Sequence, residues 1–183
     1  MRTLTLLAMC AVGLLIFSHE VQAACDNLKF GSVPQFNWQG DGSGYNPFDA
    51  TTYNQEGTID VRNKSGSCQY FVTVSEGNSN NFNRYLEDDG DRLNYNIYDD
   101  VSQSNVLKDL PTATVNETHV GSFSGAETQR LTYSASLPPG QAQPSGTYQD
   151  RVTLRLYQGT LASHTLEDSD DLSFRVGIPE VAE

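Results

Sequence analysis

Basic side chains are scarce in this chain of 183 residues, which has 11 Lys and Arg against 23 Asp and Glu and a formal net charge of -12. Such an acidic surface repels phosphate backbones and gains nothing from an anionic membrane. The charge therefore excludes sequence-independent nucleic-acid binding and electrostatic attachment to lipid. Hydrophobic residues reach only 37%, but nine Tyr and eight Phe indicate a packed domain and not a disordered acidic chain.

Long hydrophobic runs are missing except for one, from Leu4 to Phe17, which follows the positive Arg2. This pattern is typical of a secretory signal peptide at residues 1–23, which leaves a domain at residues 24–183 and no membrane insertion after cleavage. A membrane anchor is disfavoured because the run is short for a bilayer. A lipoprotein signal is disfavoured because Gln22 stands where an aliphatic residue is usual.

Cysteine is rare as well. Of three cysteines, Cys10 falls in the signal segment, so Cys25 and Cys68 remain. Two cysteines cannot form a closed zinc site, and we expect no cofactor and no metal. In an oxidising compartment a pair of cysteines favours a disulfide. Loop-closure entropy predicts that this bond would stabilise the folded state by about 4 kcal/mol. Two separate buried thiols are the alternative.

Helical periodicity is absent from every stretch of ten residues, and the repeat along the chain has a period of two. Apolar and polar residues alternate most clearly over Arg151–Tyr157. The same alternation occurs in Gly57–Arg62, Cys68–Ser75, Leu93–Ile97, Leu131–Ala135 and Leu172–Ile178. Turn signals separate these segments, so the sequence predicts an all-β antiparallel sandwich or barrel whose strands each have one solvated face.

Catalytic motifs are missing too. The chain has no Gly-x-Ser-x-Gly elbow, and His119 and His164 lie in polar segments where a solvated imidazole is expected. The acidic runs Glu87–Asp91 and Glu167–Asp171 could suggest acid–base or calcium chemistry, but neither has the spacing of a calcium loop. We interpret both as solvated hairpin tips that keep edge strands apart, and we expect no enzymatic activity.

Several short motifs in a fixed order carry a resemblance to a known family. They are Cys25 with Phe30-Gly31, Gly57–Val61, Cys68–Val74, Arg84–Leu86, Leu93–Tyr98, Leu137–Gln141, Gly146–Asp150 and Val152–Leu156. Together they resemble the spore coat protein U domain, the subunit domain of archaic, Csu-type chaperone–usher pili. The Leu-x-Tyr-x-Ile-Tyr and Gly-Thr-Tyr-x-Asp blocks are the most specific part.

The resemblance implies a Cys25–Cys68 disulfide, an immunoglobulin-like antiparallel β-sandwich and a non-enzymatic structural or adhesive role in a surface assembly. It implies a periplasmic chaperone, an outer-membrane usher and neighbouring pilus subunits as partners, and passage through the periplasm to the cell surface. In such pili each subunit lacks its last strand, and a neighbour donates one to the open groove. The alternative is a free-standing secreted coat or binding protein that does not polymerise.

The sequence departs from the layout of that family at both ends. After cleavage only Ala24 would precede Cys25, which leaves no N-terminal donor strand. Beyond Tyr157 the chain continues to a candidate complementing strand at residues 171–179. Its apolar residues are Leu172, Phe174, Val176 and Ile178.

Three roles are open for this strand. It could complete the domain's own sandwich, be donated to a neighbour, or form an ordinary last strand after a long hairpin, with the groove still open. We favour the first role. Burial of four such side chains would contribute about 6–12 kcal/mol before entropy costs.

Residues 34–53 are rich in aromatic and turn-forming residues. If the chain forms the tip of a fibre, the candidate contact surface is Phe36, Trp38, Tyr45 and Phe48. Exposed aromatic rings bind hydrophobic or sugar surfaces well. The alternative interpretation is that these rings pack one end of the sandwich.

Overall fold

The computed structural model describes residues 24–33, 35–38 and 44–180. The predicted signal peptide, residues 1–23, lies outside them. The described residues contain eleven strands, one 3-10 helix at Val115–Glu117 and no α-helix. They include no helix long and apolar enough to cross a membrane.

The strands form two sheets around one hydrophobic core. In chain order they are β1 (Lys29–Phe30), β2 (Phe36–Asn37), β3 (Tyr53–Asn63), β4 (Cys68–Val74), β5 (Tyr85–Asp88), β6 (Asp91–Asn94), β7 (Asn96–Tyr98), β8 (His119–Phe123), β9 (Glu127–Leu137), β10 (Gly146–Thr160) and β11 (Ser163–Ile178). Sheet I has the order β1-β3-β9-β7, and sheet II has the order β2-β11-β10-β4-β8, with the β5–β6 hairpin beside β10. Neighbouring strands are antiparallel except for β2, which runs parallel to β11. This confirms the all-β, immunoglobulin-like antiparallel β-sandwich.

Strict alternation places one face of β10 in the core. Val152, Leu154 and Leu156 are fully buried, whereas the residues between them are at least partly exposed. Inward rows from β3, β9 and β11 meet this row in a single cluster. The period of two in the sequence therefore identified the core positions of the longest strands.

The alternating segment around Tyr95 is not one strand. β6 ends at Asn94 in sheet II and β7 begins at Asn96 in sheet I, so the chain changes sheets at Tyr95. The Tyr95 N–H donates to the Arg84 carbonyl at 3.0 Å. Because Tyr95 stays buried during the crossing, the apolar alternation continues across the break.

β4 differs from the expectation of one solvated face, since Phe71 and Thr73 on its outer side are also buried. The ring of Phe71 stacks on Tyr157, with 4.8 Å between centroids, and meets the edge of His164. The Thr73 hydroxyl donates to Asp109 at 2.6 Å. β4 lies in the middle of sheet II, where the β10–β11 hairpin and the loop that carries Asp109 cover its outer face.

Cys25 and Cys68 form the disulfide that the family resemblance implied, with 5.3 Å between their Cα atoms. Cys25 precedes β1, at the edge of sheet I, and Cys68 begins β4 in sheet II, so the bond links the two sheets. It closes a loop with a sequence separation of 43, for which chain entropy predicts a stabilisation of about 4 kcal/mol.

The two acidic runs have different surroundings. Glu87–Asp91 forms the expected hairpin tip between β5 and β6, where Asp89 and Gly90 have φ values of 46° and 95°. Glu167–Asp171 is not a hairpin tip, because it lies within β11 and the hairpin turns at Leu161–Ala162. The register shifts opposite Leu156 and Tyr157, which makes Glu167 the extra residue of a β-bulge.

The structure pairs the candidate complementing strand with β10, from Ile178 opposite Gly146 to Leu172 opposite Val152. Pairing through a hairpin is the geometry of the third alternative above. The groove beside the strand is partly occupied by β2, which that alternative did not include.

Removal of residues 171–183 should leave a chain that does not fold. The deletion strips Leu172, Phe174, Val176 and Ile178 from the core, where none is more than 7% exposed. Their burial contributes about 6–12 kcal/mol, which is comparable with the whole stability of a domain, about 5–15 kcal/mol. Circular dichroism and thermal melting measure the loss. A control that lacks only residues 181–183 should melt like the full chain, and an unchanged melting temperature in the longer deletion would contradict a role for β11 in the core.

Candidate functional site: the seam beside β11

One edge of β11 faces β10, and its other edge is covered only by short pieces of chain. We call this second edge and its cover the seam: residues 168–178 together with residues 35–38 and 44–45. Phe36 lies opposite Phe174 in the short parallel pairing of β2 with β11. Beyond it the Trp38 N–H donates to the Arg175 carbonyl at 3.0 Å, and the Tyr45 N–H donates to the Gly177 carbonyl at 2.7 Å.

Aromatic side chains fill the space under the seam. Phe36 stacks on Phe174 with 4.9 Å between centroids and 13° between planes, and meets the edge of Tyr133 at 4.9 Å. Trp38 lies 5.6 Å from Phe174 and 6.0 Å from Tyr95. Phe36 and Trp38 are two residues apart in an extended segment, so both rings point to the same side and enter the core.

The N-terminal part of this edge is capped by its own acidic side chains. The Ser169 N–H donates to Asp168 at 2.9 Å, and the Asp171 N–H donates to Asp170 at 2.7 Å. Asp168 also accepts from the Phe30 N–H at 2.9 Å. Because negative charges on an edge prevent another strand from pairing there, this run protects the edge. The described residues hold no group of three or more potential metal ligands.

The structure corrects the candidate contact surface. Phe36, Trp38 and Tyr45 are at most 7% exposed and belong to the core, whereas Phe48 is 82% exposed. The Tyr45 hydroxyl donates to the Pro138 carbonyl at 2.9 Å and accepts from the Gln141 N–H at 2.9 Å. Three of the four rings therefore pack the sandwich, as the alternative interpretation held.

One of the two histidines differs from expectation. His119 begins β8 and is mostly buried, its Nε2 has no hydrogen-bond partner within the described residues, and burial lowers the pKa of its imidazole although Asp99 opposes the shift. His164 lies in β11 and is exposed, as expected, with its ring edge-on to Tyr157 at 5.1 Å. Polar neighbours in the sequence hide the burial of His119, which depends on distant parts of the chain.

A buried arginine lies next to Tyr95, which packs under the seam, and sequence reasoning did not assign it a role. Arg84 is fully buried, and its guanidinium donates to the carbonyls of Ser75 at 2.9 Å, Val74 at 3.0 Å and Leu107 at 2.7 Å. Burial lowers the pKa of Arg84 to about 10. The one signal available was the position of Arg84 within a block that resembles the family.

Beside Arg84, a buried carboxyl group fixes the ring on which Trp38 rests. The Tyr95 hydroxyl donates to Asp150 at 2.6 Å, and the same carboxyl group accepts from the Asn78 N–H at 2.8 Å. Burial raises the pKa of Asp150, and these hydrogen bonds oppose the shift. Tyr95 is thereby held against both Trp38 and Phe174.

A family model described as the Spore Coat Protein U domain matches residues 3–155. The chain belongs to this family. β11 and the last residues of β10 lie beyond the match, so the family description alone would leave out one half of the seam. No curated protein sequence matches the chain.

Solved structures with a similar fold have little sequence identity. The chain is similar to CfaE, the adhesive subunit of CFA/I fimbria of enterotoxigenic Escherichia coli, at 11% identity and a TM-score of 0.47, over 84% of this chain and 49% of that one. It thus spans about half the length of that adhesin. The CooA pilin subunit from enterotoxigenic Escherichia coli gives 12% identity and a TM-score of 0.47, over 85% and 100% of the two chains.

A third similar structure is the CssB subunit of enterotoxigenic Escherichia coli colonization factor CS6, complemented with a donor strand from the CssA subunit. Its identity is 17% and its TM-score 0.40, over 84% of this chain and 97% of that one.

Replacement of a buried ring should lower the free energy of unfolding, whereas replacement of the exposed ring should leave it unchanged. Phe36→Ala removes a ring that stacks on Phe174 and should cost about 3–5 kcal/mol of unfolding free energy. Phe48→Ala changes an exposed side chain and should stay within about 0.5 kcal/mol of wild type. Urea unfolding followed by tryptophan fluorescence measures both, and equal midpoints for the two variants would show that Phe36 does not hold the core.

The burial of His119 should make the protein less stable in mild acid. Its folded-state pKa lies below the unfolded value of about 6.5, so the unfolded chain binds the proton more readily, and stability falls as pH drops through that value. His119→Gln should flatten the dependence of the melting temperature between about pH 7 and pH 5. His164→Gln is the matched control and should keep the wild-type slope; equal slopes in wild type and His119→Gln would refute the assignment.

Proposed function

We propose that the chain is a non-enzymatic structural or adhesive subunit of a surface assembly resembling archaic chaperone–usher pili. Membership of the spore coat protein U domain family supports this role. The observation that carries it is the seam. The long strand β11 ends a sheet with an edge whose strand partner, β2, has only two residues.

A donor strand from a neighbouring subunit would replace β2 along this edge. It would form hydrogen bonds with the outward main-chain groups of Ser173, Arg175 and Gly177. At present the Ser173 N–H donates to the Gln35 side chain, and the carbonyls of Arg175 and Gly177 accept from the N–H groups of Trp38 and Tyr45. Its alternating apolar side chains would take the places of Phe36 and Trp38 over Phe174. A longer strand makes more main-chain hydrogen bonds than a two-residue one, so the exchange has a physical driving force.

The route to such an assembly requires export. We infer that residues 1–23 act as the signal peptide, and the Cys25–Cys68 disulfide fits an oxidising compartment. A periplasmic chaperone would protect the seam before assembly, and an outer-membrane usher would pass the subunit to its neighbour. Residues 171–179 would stay in their own domain as its last strand, because their donation to another subunit would strip β10 of the partner that it gains through the hairpin.

A free-standing secreted coat or binding protein is the second candidate function. Phe36 and Trp38 already fill the seam and are at most 7% exposed, so the described chain closes its sandwich without a partner. A protein that keeps β2 in place would not polymerise by strand exchange.

A disulfide that locks β2 to β11 separates the two functions. Asn37 and Arg175 are aligned between adjacent strands, where Cα atoms lie about 5 Å apart and can be bridged. The double variant Asn37→Cys, Arg175→Cys should fold and be exported but fail to join surface fibres, since its own strand blocks the donor. Immunogold labelling of cells that produce the chain with its natural neighbours measures incorporation.

The control is a second engineered disulfide, placed on the outer face of sheet I, away from the pairing of β2 with β11. Thr58→Cys with Thr132→Cys joins exposed, aligned residues of β3 and β9, and this variant should assemble like wild type. Assembly by the locked variant would show that no donor enters beside β11. A wild-type chain found only as a secreted monomer would favour the free-standing protein.

A further inference from the structure

A pocket of about 440 Å³ lies on the outer face of sheet II, beside the seam. Phe36, Phe174 and Asp150 contribute to its lining, and the other lining residues are polar or basic: Gln35, Asn78, Gln149, Arg151, Ser173 and Arg175. Those from β10 and β11 occupy the outward positions of the two strands, opposite the buried row that includes Val152 and Phe174. Its volume is within the range of small-ligand sites, about 300–1,000 Å³.

Two guanidinium groups converge on this pocket in a chain whose net charge is -12. Arg151 lies opposite Ser173 and Arg175 opposite Gln149, so the two arginines are diagonal neighbours across β10 and β11. Arg151 makes a loose ion pair with Asp171 at 3.6 Å, with both side chains largely exposed. No carboxylate lies within 4 Å of the Arg175 guanidinium among the described residues.

One acidic residue, Asp150, contributes to the floor of the pocket, but its carboxyl group is already occupied. It accepts from the Tyr95 hydroxyl at 2.6 Å, from the Asn78 N–H at 2.8 Å and from the Arg151 N–H at 2.7 Å. These donors lie in the interior or in the main chain. Asp150 forms no ion pair within 4 Å with either guanidinium group at the mouth of the pocket.

We propose that this pocket binds an acidic saccharide, a sugar ring that carries a carboxylate. The planar fork of arginine matches a carboxylate with paired hydrogen bonds. The amide side chain of Gln149 offers donor and acceptor atoms in one plane, which suits adjacent sugar hydroxyls. Gln35, whose Oε1 accepts from the Ser173 N–H at 3.1 Å, adds the donors of its NH₂ group. A simple inorganic anion would use the arginines and leave the amides without a role.

Because Gln35 and Phe36 line the pocket, the site belongs to a chain that keeps β2 in place. It would serve the free-standing binding protein of the second candidate function and rests on that function only for its biological purpose. Binding to the isolated chain requires no polymerisation. Loss of ligand binding would leave the assembly proposal intact, and failure of the chain to enter fibres would leave the ligand site intact.

Titration of the isolated chain with digalacturonate, followed by NMR of the backbone amides of β10 and β11, tests the proposal. We expect saturable shifts at residues 149–151 and 173–175. The dimethyl ester of the same disaccharide, which lacks the negative charges, should cause no such shifts. Arg175→Gln should weaken binding about tenfold or more, since it removes a charged hydrogen-bonding partner.

Arg62→Gln is the matched control, because Arg62 is an exposed strand arginine of sheet I that forms no ion pair within the described residues. It should bind digalacturonate like wild type. The proposal fails if wild type shows no saturation up to about 20 mM, if the ester binds equally well, or if both arginine variants lose the same affinity. Equal binding of inorganic phosphate at these residues would overturn the saccharide class in favour of a generic anion site.

Discussion

The stack of Phe36 on Phe174 is the contact on which the closed sandwich depends. β2 has only two residues beside β11, too few main-chain hydrogen bonds to hold the segment in place by themselves. The buried aromatic area supplies the remaining stabilisation. A longer strand that supplied both apolar side chains and main-chain hydrogen bonds would compete with a closure held mainly by side chains. The same contact therefore accounts for the closed sandwich and for the exchange that we propose.

The edge of β11 that faces away from β10 is protected in two different ways along its length. Its N-terminal part holds Asp168 and Asp170, whose carboxylates bind the neighbouring main-chain N–H groups, so another strand finds neither free donors nor neutral surface. Its C-terminal part carries the apolar row around Phe174 and leaves its main chain to short covers. The strand thereby leaves only the half that contacts the aromatic core open to the donor strand that we propose. A β-bulge at Glu167 separates this edge from the hairpin tip.

The sequence predicts those features of the fold that depend on neighbouring residues, and it does not predict those that depend on residues far apart in the chain. β10 repeats its pattern long enough for a period of two to identify both strand and core. β2 is too short for any period to be measured, and the direction of Phe36 is set by β11, far along the chain. Arg84 is a charged residue whose burial depends on three carbonyls that converge from separate segments, so composition favours the surface and only the fold places it inside. The apolar run Tyr70–Val74 did hold a readable signal for a strand buried on both faces.

The buried group of Arg84, Tyr95 and Asp150 explains how the seam could change occupants without loss of the domain. Tyr95 is fixed by Asp150 and packs against Phe174, so the platform under the seam is built from residues that do not belong to β2. Arg84 ties the surrounding loops to the same platform through their carbonyl groups. These groups keep their hydrogen bonds whichever strand lies above them. Replacement of β2 would therefore cost the ring contacts of Phe36 and Trp38 and the hydrogen bonds that join Gln35, Trp38 and Tyr45 to β11, but not the platform itself.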